Sequence, residues 1–270
     1  MLDWSLTLAR TGVQHPGKHL LNIFNINYNY SKMNIALIGY GKMGKAIHEI
    51  AKQRGHEAVL IIDADNLHDL TAENISKADV AIEFTSPHTA LANVLFCLQH
   101  QTPVVCGSTG WLEKLDEAKH VAAQNKTGLI VASNFSVGVN IFFEVNKRLA
   151  QLMSQQDSYD VTLKEIHHTA KKDAPSGTAI TLAEQVLDAV ERKTKWVNDA
   201  AVNSAELSII SERIDPAPGT HHVKYSSAVD DIEIIHTAHN RSGFALGAVL
   251  AGEFLIGKSG FFGMKEVLNL

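Results

Sequence analysis

Glu165 to Ala179 reads EIHHTAKKDAPSGTA, with two adjacent histidines, two lysines and a Pro-Ser-Gly-Thr turn inside fifteen residues. Imidazoles exchange protons near neutral pH, and ammonium groups attract anions or serve as acids. A Ser or Thr at a helix start commonly caps it, worth ~1 kcal/mol. Ser176, Gly177 and Thr178 stand at such a start, four to seven residues beyond Lys171 and Lys172. A glycine flanked by hydroxyls at a helix N-terminus also makes an anion pocket. The chemistry in view is proton delivery beside a carboxylate-sized anion site. His167 and His168 are neighbours, so on extended backbone they face opposite ways, and at most one is expected to face a substrate directly.

The elements that position this run begin at Met33. Ile35 to Ile38 is a continuous apolar strand of the kind buried in a parallel sheet. Gly39, Gly41 and Gly44 follow in G-x-G-x-x-G spacing, and Met43, Ile47, Ile50 and Ala51 then recur at helical period. The first glycine permits a tight turn, the second admits a pyrophosphate to the backbone, and the third lets helix and strand pack closely. The helix N-terminus adds oriented N–H groups and partial positive charge. A second strand, AVLIID, ends in Asp63, 19 residues after Gly44, where a carboxylate can hold ribose hydroxyls. This unit is read as a dinucleotide site.

Further strand–helix units follow at DVAIEF, TPVVCGSTGW and GLIVASNFSVG. Their alternation predicts a Rossmann-type, doubly wound parallel sheet in an α/β fold. Ligands of such sheets bind beyond the carboxyl ends of the strands. The segments there are Phe84-Thr85-Ser86, Gly107-Ser108-Thr109 and Ser133-Asn134-Phe135, whose backbone groups and small hydroxyls suit a nicotinamide carboxamide. After a helix from about residue 139 to 153 the texture changes. DVTLKEI, LSIISERI, THHVKYSS and DIEIIHTA read as strands of a second, α+β domain with a mixed, largely antiparallel sheet, whose exposed face is a candidate for burial between subunits. The opening run joins the first of these strands to a helix with Ile180, Ala183, Leu187 and Val190 on one face. The expected division is an extension at 1–32, a dinucleotide-binding domain at 33–133, a substrate-binding and oligomerisation domain at 134–240, and a segment at 241–270 that returns to the first domain. Residues 1–32 lack an uninterrupted apolar core and a small-residue cleavage site, a poor secretory signal, and are expected to lie outside the fold.

The long H-H-x-x-K-x-D-A-P-S-G-T-A pattern resembles the signature of the 4-hydroxy-tetrahydrodipicolinate reductases, formerly called dihydrodipicolinate reductases. IALIGYGKMG resembles the cofactor loop of that family, which brings Tyr40, Lys42 and Met43 in beside Gly39, Gly41 and Gly44. IEFTSPHTALANVLFC, GSTGW, SNFSVGVN, HNRSGFALGAVLAGEFL and GFFGMKEVL resemble its remaining segments, so the likeness runs over nearly the whole chain from Met33. It implies reduction of 4-hydroxy-tetrahydrodipicolinate by NADH or NADPH, giving tetrahydrodipicolinate and water in lysine (diaminopimelate) biosynthesis. It implies His167 as proton donor and acceptor and Lys171 as proton donor. Thr109, His168, Lys171, Ser176, Gly177 and Thr178 would hold the carboxylates of the dicarboxylate substrate. Phe84, Gly107, Ser108, Thr109, Ser133, Asn134 and Phe135 would line the nicotinamide end. A cytoplasmic homotetramer is implied as well. Thr169 and Ala170 depart from the pattern, since some members carry further basic residues there.

Cofactor choice follows from opposed charges. Asp63 and Asp65 would repel a 2′-phosphate, and DADNLHDL offers no arginine to clamp one, so NADH is expected to be preferred. In similar enzymes Lys42 can reach an adenosine phosphate, which keeps NADPH usable.

Other classes fit less well. Homoserine or aspartate-semialdehyde dehydrogenases share the two-domain plan but leave the histidine run without a purpose. A dinucleotide-sensing regulator of transcription calls for a basic helix-turn-helix, and none is visible. His221-His222 and His236-x-x-His239 could ligate zinc, yet these spacings on strands point the rings to opposite faces, and no metal is expected. With a net charge of −5 the chain has nothing that favours nucleic acid or an anionic membrane. No apolar run approaches the ~18 residues that span a bilayer. Cys97 and Cys106 are too few for a disulfide framework and sit in apolar stretches, as buried reduced thiols do.

Overall fold

A computed structural model describes residues 31–270; the expected extension at 1–32 therefore lies, as far as residue 30, outside the described residues. Residues 32–270 form one compact unit. The chain begins it with β1 (Asn34–Ile38), α1 (Lys42–Gln53), β2 (Glu57–Ile62), a short α2 (Ala72–Ile75), β3 (Val80–Glu83), α3 (Ala90–Gln99), β4 (Val104–Cys106), α4 (Leu115–Gln124) and β5 (Gly128–Val131). Then come α5 (Val137–Met153), β6 (Asp160–His167), α6 (Gly177–Ala189), β7 (Lys195–Val197), β8 (Glu206–Arg213), β9 (Gly219–Ser226) and β10 (Asp231–Ala238). The chain ends with α7 (Ser242–Leu255), β11 (Gly260–Phe262) and α8 (Met264–Leu268).

The first sheet is parallel throughout, in the order β11-β5-β4-β3-β1-β2. Its strands are apolar on both faces because both are covered. Ala36, Ile38, Leu60, Ile62, Val104 and Cys106 pack with α3 and α4. On the other side α7 lies along β3, β4 and β5 and packs against α1. A Cβ on Gly252 of α7 would meet Val80 at 3.5 Å and Ile82 at 3.8 Å, ordinary contact distances, so the helix packs close on the sheet there. The sixth strand, β11, comes from GFFGMKEVL and pairs with β5. A three-residue strand carries too little pattern to be read as one from sequence. Cys97 and Cys106 are buried and unpaired, and burial raises the Cys97 thiol to about 12.

The second sheet has the order β10-β9-β6-β8-β7. It is mixed: β10–β9 and β9–β6 are antiparallel and are the longer ladders, while β6–β8 and β8–β7 run parallel. One face lies under α5 and α6, where Val161, Leu163, Leu207, Ile209, Val223 and Tyr225 meet Phe142, Met153, Leu182 and Val186. The other face carries Lys164 paired with Glu212 and His222 paired with Glu233, together with exposed Ile210 and Ile235. Among the described residues no helix is long and apolar enough to cross a membrane.

Candidate active site

Strand alternation builds the centre of the site. Val161, Leu163, Glu165 and His167 share the covered face of β6, and the last two replace apolar residues with ionisable ones. In register, Glu165 stands opposite Ser211 on β8 and His221 on β9, and His221 stands opposite His236 on β10. One polar row thus crosses four strands at the end of an apolar layer, and His167 pairs with Arg213 one level further on.

The Glu165 carboxylate is fully buried. It accepts the Ser176 backbone N–H at 3.1 Å on both oxygens and the Ser211 hydroxyl at 2.8 Å, with Arg213 at 3.3 Å. His167 Nδ1 lies 3.4 Å and His221 Nε2 3.8 Å from its Oε2. Burial alone would raise the carboxyl, but the donors of Ser176 and Ser211, with the His167 charge, bring it below its ordinary value. Burial lowers His167 and outweighs the carboxylate of Glu165, with Lys171 and Arg213 pushing the same way as burial. Burial, with His167 beside it, takes His221 down to about 3, so that ring is neutral at physiological pH. Glu165, His167 and His221 bring one potential ligand atom each within 4.8 Å of one another. The Arg213 guanidinium and the Ser176 N–H already supply positive charge there, which favours a proton-sharing cluster over a divalent ion.

Ser176 caps α6, its hydroxyl accepting from Ala179 N at 3.2 Å and lying 3.2 Å from His221 Nε2. The Gly177 and Thr178 N–H groups, by contrast, meet no protein acceptor among the described residues. That leaves a helix N-terminus open to an anion. Between it and the first sheet lies a cavity of about 1080 Å³ lined by Thr109, Asn134, His167, His168, Lys171, Ser176, Gly177 and Thr178, with His221, His236, His239 and Arg241. The substrate residues expected from sequence are therefore gathered in one place. Both His167 and His168 line the cavity: β6 ends at His167, and alternation does not govern the next residue. For the same reason His236 and His239 both reach it, since β10 ends at Ala238. Lys171 holds Asp173 at 2.8 Å through both carboxylate oxygens, while Lys172 is exposed and outside the lining. The loop is clamped from β8 and the turn after it: Arg213 donates to the Asp173 carbonyl and Thr169 donates to Asp215.

At the first sheet each glycine has a distinct surrounding. Gly39 turns with φ +96°, and a Cβ there would lie 2.2 Å from the Phe84 carbonyl; one on Gly44 would lie 2.1 Å from the Gly39 carbonyl. Gly41 faces open space and starts α1 with no side-chain cap, so space and dipole both fit a pyrophosphate. Lys42 and Asp63 are exposed beside it, and Tyr40 is tied to His48 at 2.6 Å. Met43, Thr109, Ser133 and Asn134 line the cavity. The Phe84 and Phe135 rings meet tilted, with centroids 5.6 Å apart, and Gly107 lies against the Phe84 ring. The Ser108 hydroxyl is taken up by Thr85 N at 2.8 Å, so this side chain fixes the loop. Asn134 Nδ2 reaches Thr178 Oγ1 at 3.2 Å, linking the loop after β5 to the open end of α6.

Sequence reasoning overlooked Glu165 and Arg213, and weighed His221 and His236 only as zinc ligands. For Glu165 a signal existed: an acid in phase with Val161 and Leu163 on a buried face demands a partner. Arg213 and His221 carried none, since only sheet register brings them in.

Fold and site together define a two-sheet, dinucleotide-dependent oxidoreductase. Residues 33–135 match the family described as dihydrodipicolinate reductase, N-terminus, and residues 138–268 match dihydrodipicolinate reductase, C-terminus. The chain is 48% identical over 238 residues to a 4-hydroxy-tetrahydrodipicolinate reductase of Christiangramia forsetii, covering 88% of this chain and 98% of that one. It is 34% identical over 203 residues to the Neisseria meningitidis reductase of the same name, covering 73% and 74%. A dipicolinate-bound dihydrodipicolinate reductase from Paenisporosarcina sp. superposes with a TM-score of 0.72 at 24% identity, covering 87% and 99%. A probable dehydrogenase from Thermotoga maritima superposes at 0.53 and 10% identity, covering 87% and 92%, and shares the fold. The chain belongs to the dihydrodipicolinate reductase family, the NAD(P)H-dependent oxidoreductases that reduce 4-hydroxy-tetrahydrodipicolinate in lysine biosynthesis.

Proposed function

We propose that the reaction runs in the cavity between the two sheets, with His167 and Lys171 as the proton-delivering groups. The observation that carries this reading is the convergence of His167, His168 and Lys171 on the open N-terminus of α6. Ser176, Gly177, Thr178 and Thr109 receive the substrate carboxylates, with Lys171 and His168 supplying charge. Lys171 must exchange Asp173 for the substrate. Water leaves the 4-hydroxy compound, and a reduced nicotinamide, when bound, supplies the hydride. Electron density then builds on the conjugated imine, and a proton from the cationic side chains completes the reduction to tetrahydrodipicolinate.

Gly39 to Gly44 hold the pyrophosphate, Asp63 the ribose hydroxyls, and the loops containing Phe84, Gly107 to Thr109 and Ser133 to Phe135 the nicotinamide. Exposed Asp63 makes NADH the preferred cofactor, while exposed Lys42 keeps NADPH usable. Residues 33–133 act as the dinucleotide domain and 134–240 as the substrate domain, with 241–270 packing back on the first. The uncovered face of the second sheet, with Ile210 and Ile235 exposed, supports assembly into a homotetramer. A cytoplasmic location follows from the biosynthetic role.

Steady-state oxidation of NADH and NADPH, with the condensation product of pyruvate and aspartate semialdehyde as substrate, tests the reading. Turnover with both cofactors is expected; none with either would overturn it.

A further inference from the structure

We propose that Glu165 is a positioning residue: its buried carboxylate holds the Nδ1–H edge of His167 and so presents Nε2 to the cavity as the proton-donating atom. This rests on the reading of His167 as a proton donor and assigns a role to a residue that itself touches neither substrate nor cofactor.

The geometry carries the argument. His167 Nδ1 is buried with no hydrogen-bond partner, and Glu165 Oε2 lies 3.4 Å from it, at ion-pair distance. The opposite nitrogen, Nε2, lies beside Gly219, where an added Cβ would come within 3.0 Å of it, and both residues line the cavity. The His221 ring packs edge-on against His167 with centroids 5.1 Å apart and limits its rotation. Glu165 is itself fixed from three elements, by Ser176 at the start of α6 and by Ser211 and Arg213 on β8. The same carboxylate therefore registers the proton donor against the helix end that receives the anion. A carboxylate behind an imidazole selects the tautomer and stabilises the imidazolium.

The charged groups facing His167 are Glu165 on its own strand, Arg213 on β8, neutral His221 on β9, and Lys171 and Asp173 in the loop. His236 on β10 faces His221. Lys171 and Arg213 disfavour the imidazolium, while Glu165 and Asp173 favour it. Asp173 is exposed and committed to Lys171, so Glu165 is the buried counter-charge that lets His167 carry a proton at all. Removing that charge lowers the pH at which His167 loses its proton, and the alkaline limb of kcat moves to lower pH with it.

Nitrogen-detected NMR on the full chain with labelled histidine reads this directly, His167 being assigned by its absence in His167→Ala. In the unaltered protein the neutral ring should be the Nδ1–H tautomer. In Glu165→Gln its titration midpoint should fall by about one pH unit or more, in step with the kcat limb. A purely structural role would lower kcat without moving either. An Nε2–H tautomer in the unaltered protein, or an unmoved midpoint in a folded Glu165→Gln, overturns the proposal. Should Glu165→Gln fail to fold, the tautomer alone decides. Undiminished turnover in His167→Ala would instead count against the proton-donor reading, a result distinct from either.

Discussion

Two buried glutamates, each beside an arginine and a histidine, behave in opposite ways. Glu253 on α7 is held by both arms of Arg54 at 2.7 and 2.8 Å and by His56 Nε2 at 2.8 Å, and His56 Nδ1 in turn accepts the Met33 N–H. The charge-assisted bonds are short and the guanidinium fork is bidentate, so the cluster staples α7 to the end of α1 and the start of β2. Glu165 has more neighbours held more loosely. Arg213 makes a single long bond, and Nδ1 atoms of both His167 and His221 lack partners. A saturated cluster can only hold the fold, whereas one with unsatisfied nitrogens at a cavity wall keeps capacity to move protons. The chemistry of the residues is the same; completeness of pairing separates the staple from the site.

Breaking the staple should give the largest effect. Glu253→Ala removes the buried carboxylate that Arg54 and His56 share and should cost about 3–5 kcal/mol of stability. Denaturant unfolding measures this, and kcat at a temperature where the variant is folded should stay near that of the parent. A loss of kcat with unchanged stability would reverse the two roles.

Disabling the site should do the converse. His167→Ala or Lys171→Ala is expected to lower kcat by roughly 10²-fold or more, with the unfolding midpoint nearly unchanged. Near-parental turnover in both variants would remove them from the chemistry.

A third acid, Asp63, sharpens the contrast because it is exposed and its charge is screened by water. NADH should be favoured over NADPH by only about tenfold in kcat/KM, and Asp63→Ser should shift the ratio towards NADPH. A clear NADPH preference in the unaltered protein would overturn the role given to Asp63.

The smallest effect separates the clusters by pH. His221 has its folded value lowered to about 3, so it is neutral in both states above its ordinary value of 6.5. As pH falls below about 6.5 the unfolded chain takes the proton first and stability declines. Glu253 is also lowered, burial being overcome by His56 and Arg54, but from 4.5, so its contribution is lost only at more acid pH. His221→Gln should therefore flatten stability between about pH 6.5 and 4.5 and leave the steeper acid loss in place. Thermal melts across that range decide it; an unchanged slope would mean that His221 is protonated in the native state.

The sequence by itself determined whatever depends on neighbours along the chain. Alternating apolar strands and helices specified the parallel sheet, because a strand covered on both faces must be apolar throughout. The glycine spacing specified the turn, since the Gly39 and Gly44 positions leave no room for a Cβ. The run from His167 to Thr178 placed proton donors next to a helix start within a few residues of each other. Only the tertiary structure decided which residues complete them. Glu165, Ser211, His221 and His236 come from four strands and meet because sheet register aligns them. Arg54 meets Glu253 across 199 residues because α7 crosses back over the first sheet. Where a strand ends also set which histidines reach the cavity, for His168 and His239 lie just past the last paired residue. Local pattern fixes backbone and facing; pairing between distant segments is set by packing, which no short stretch contains.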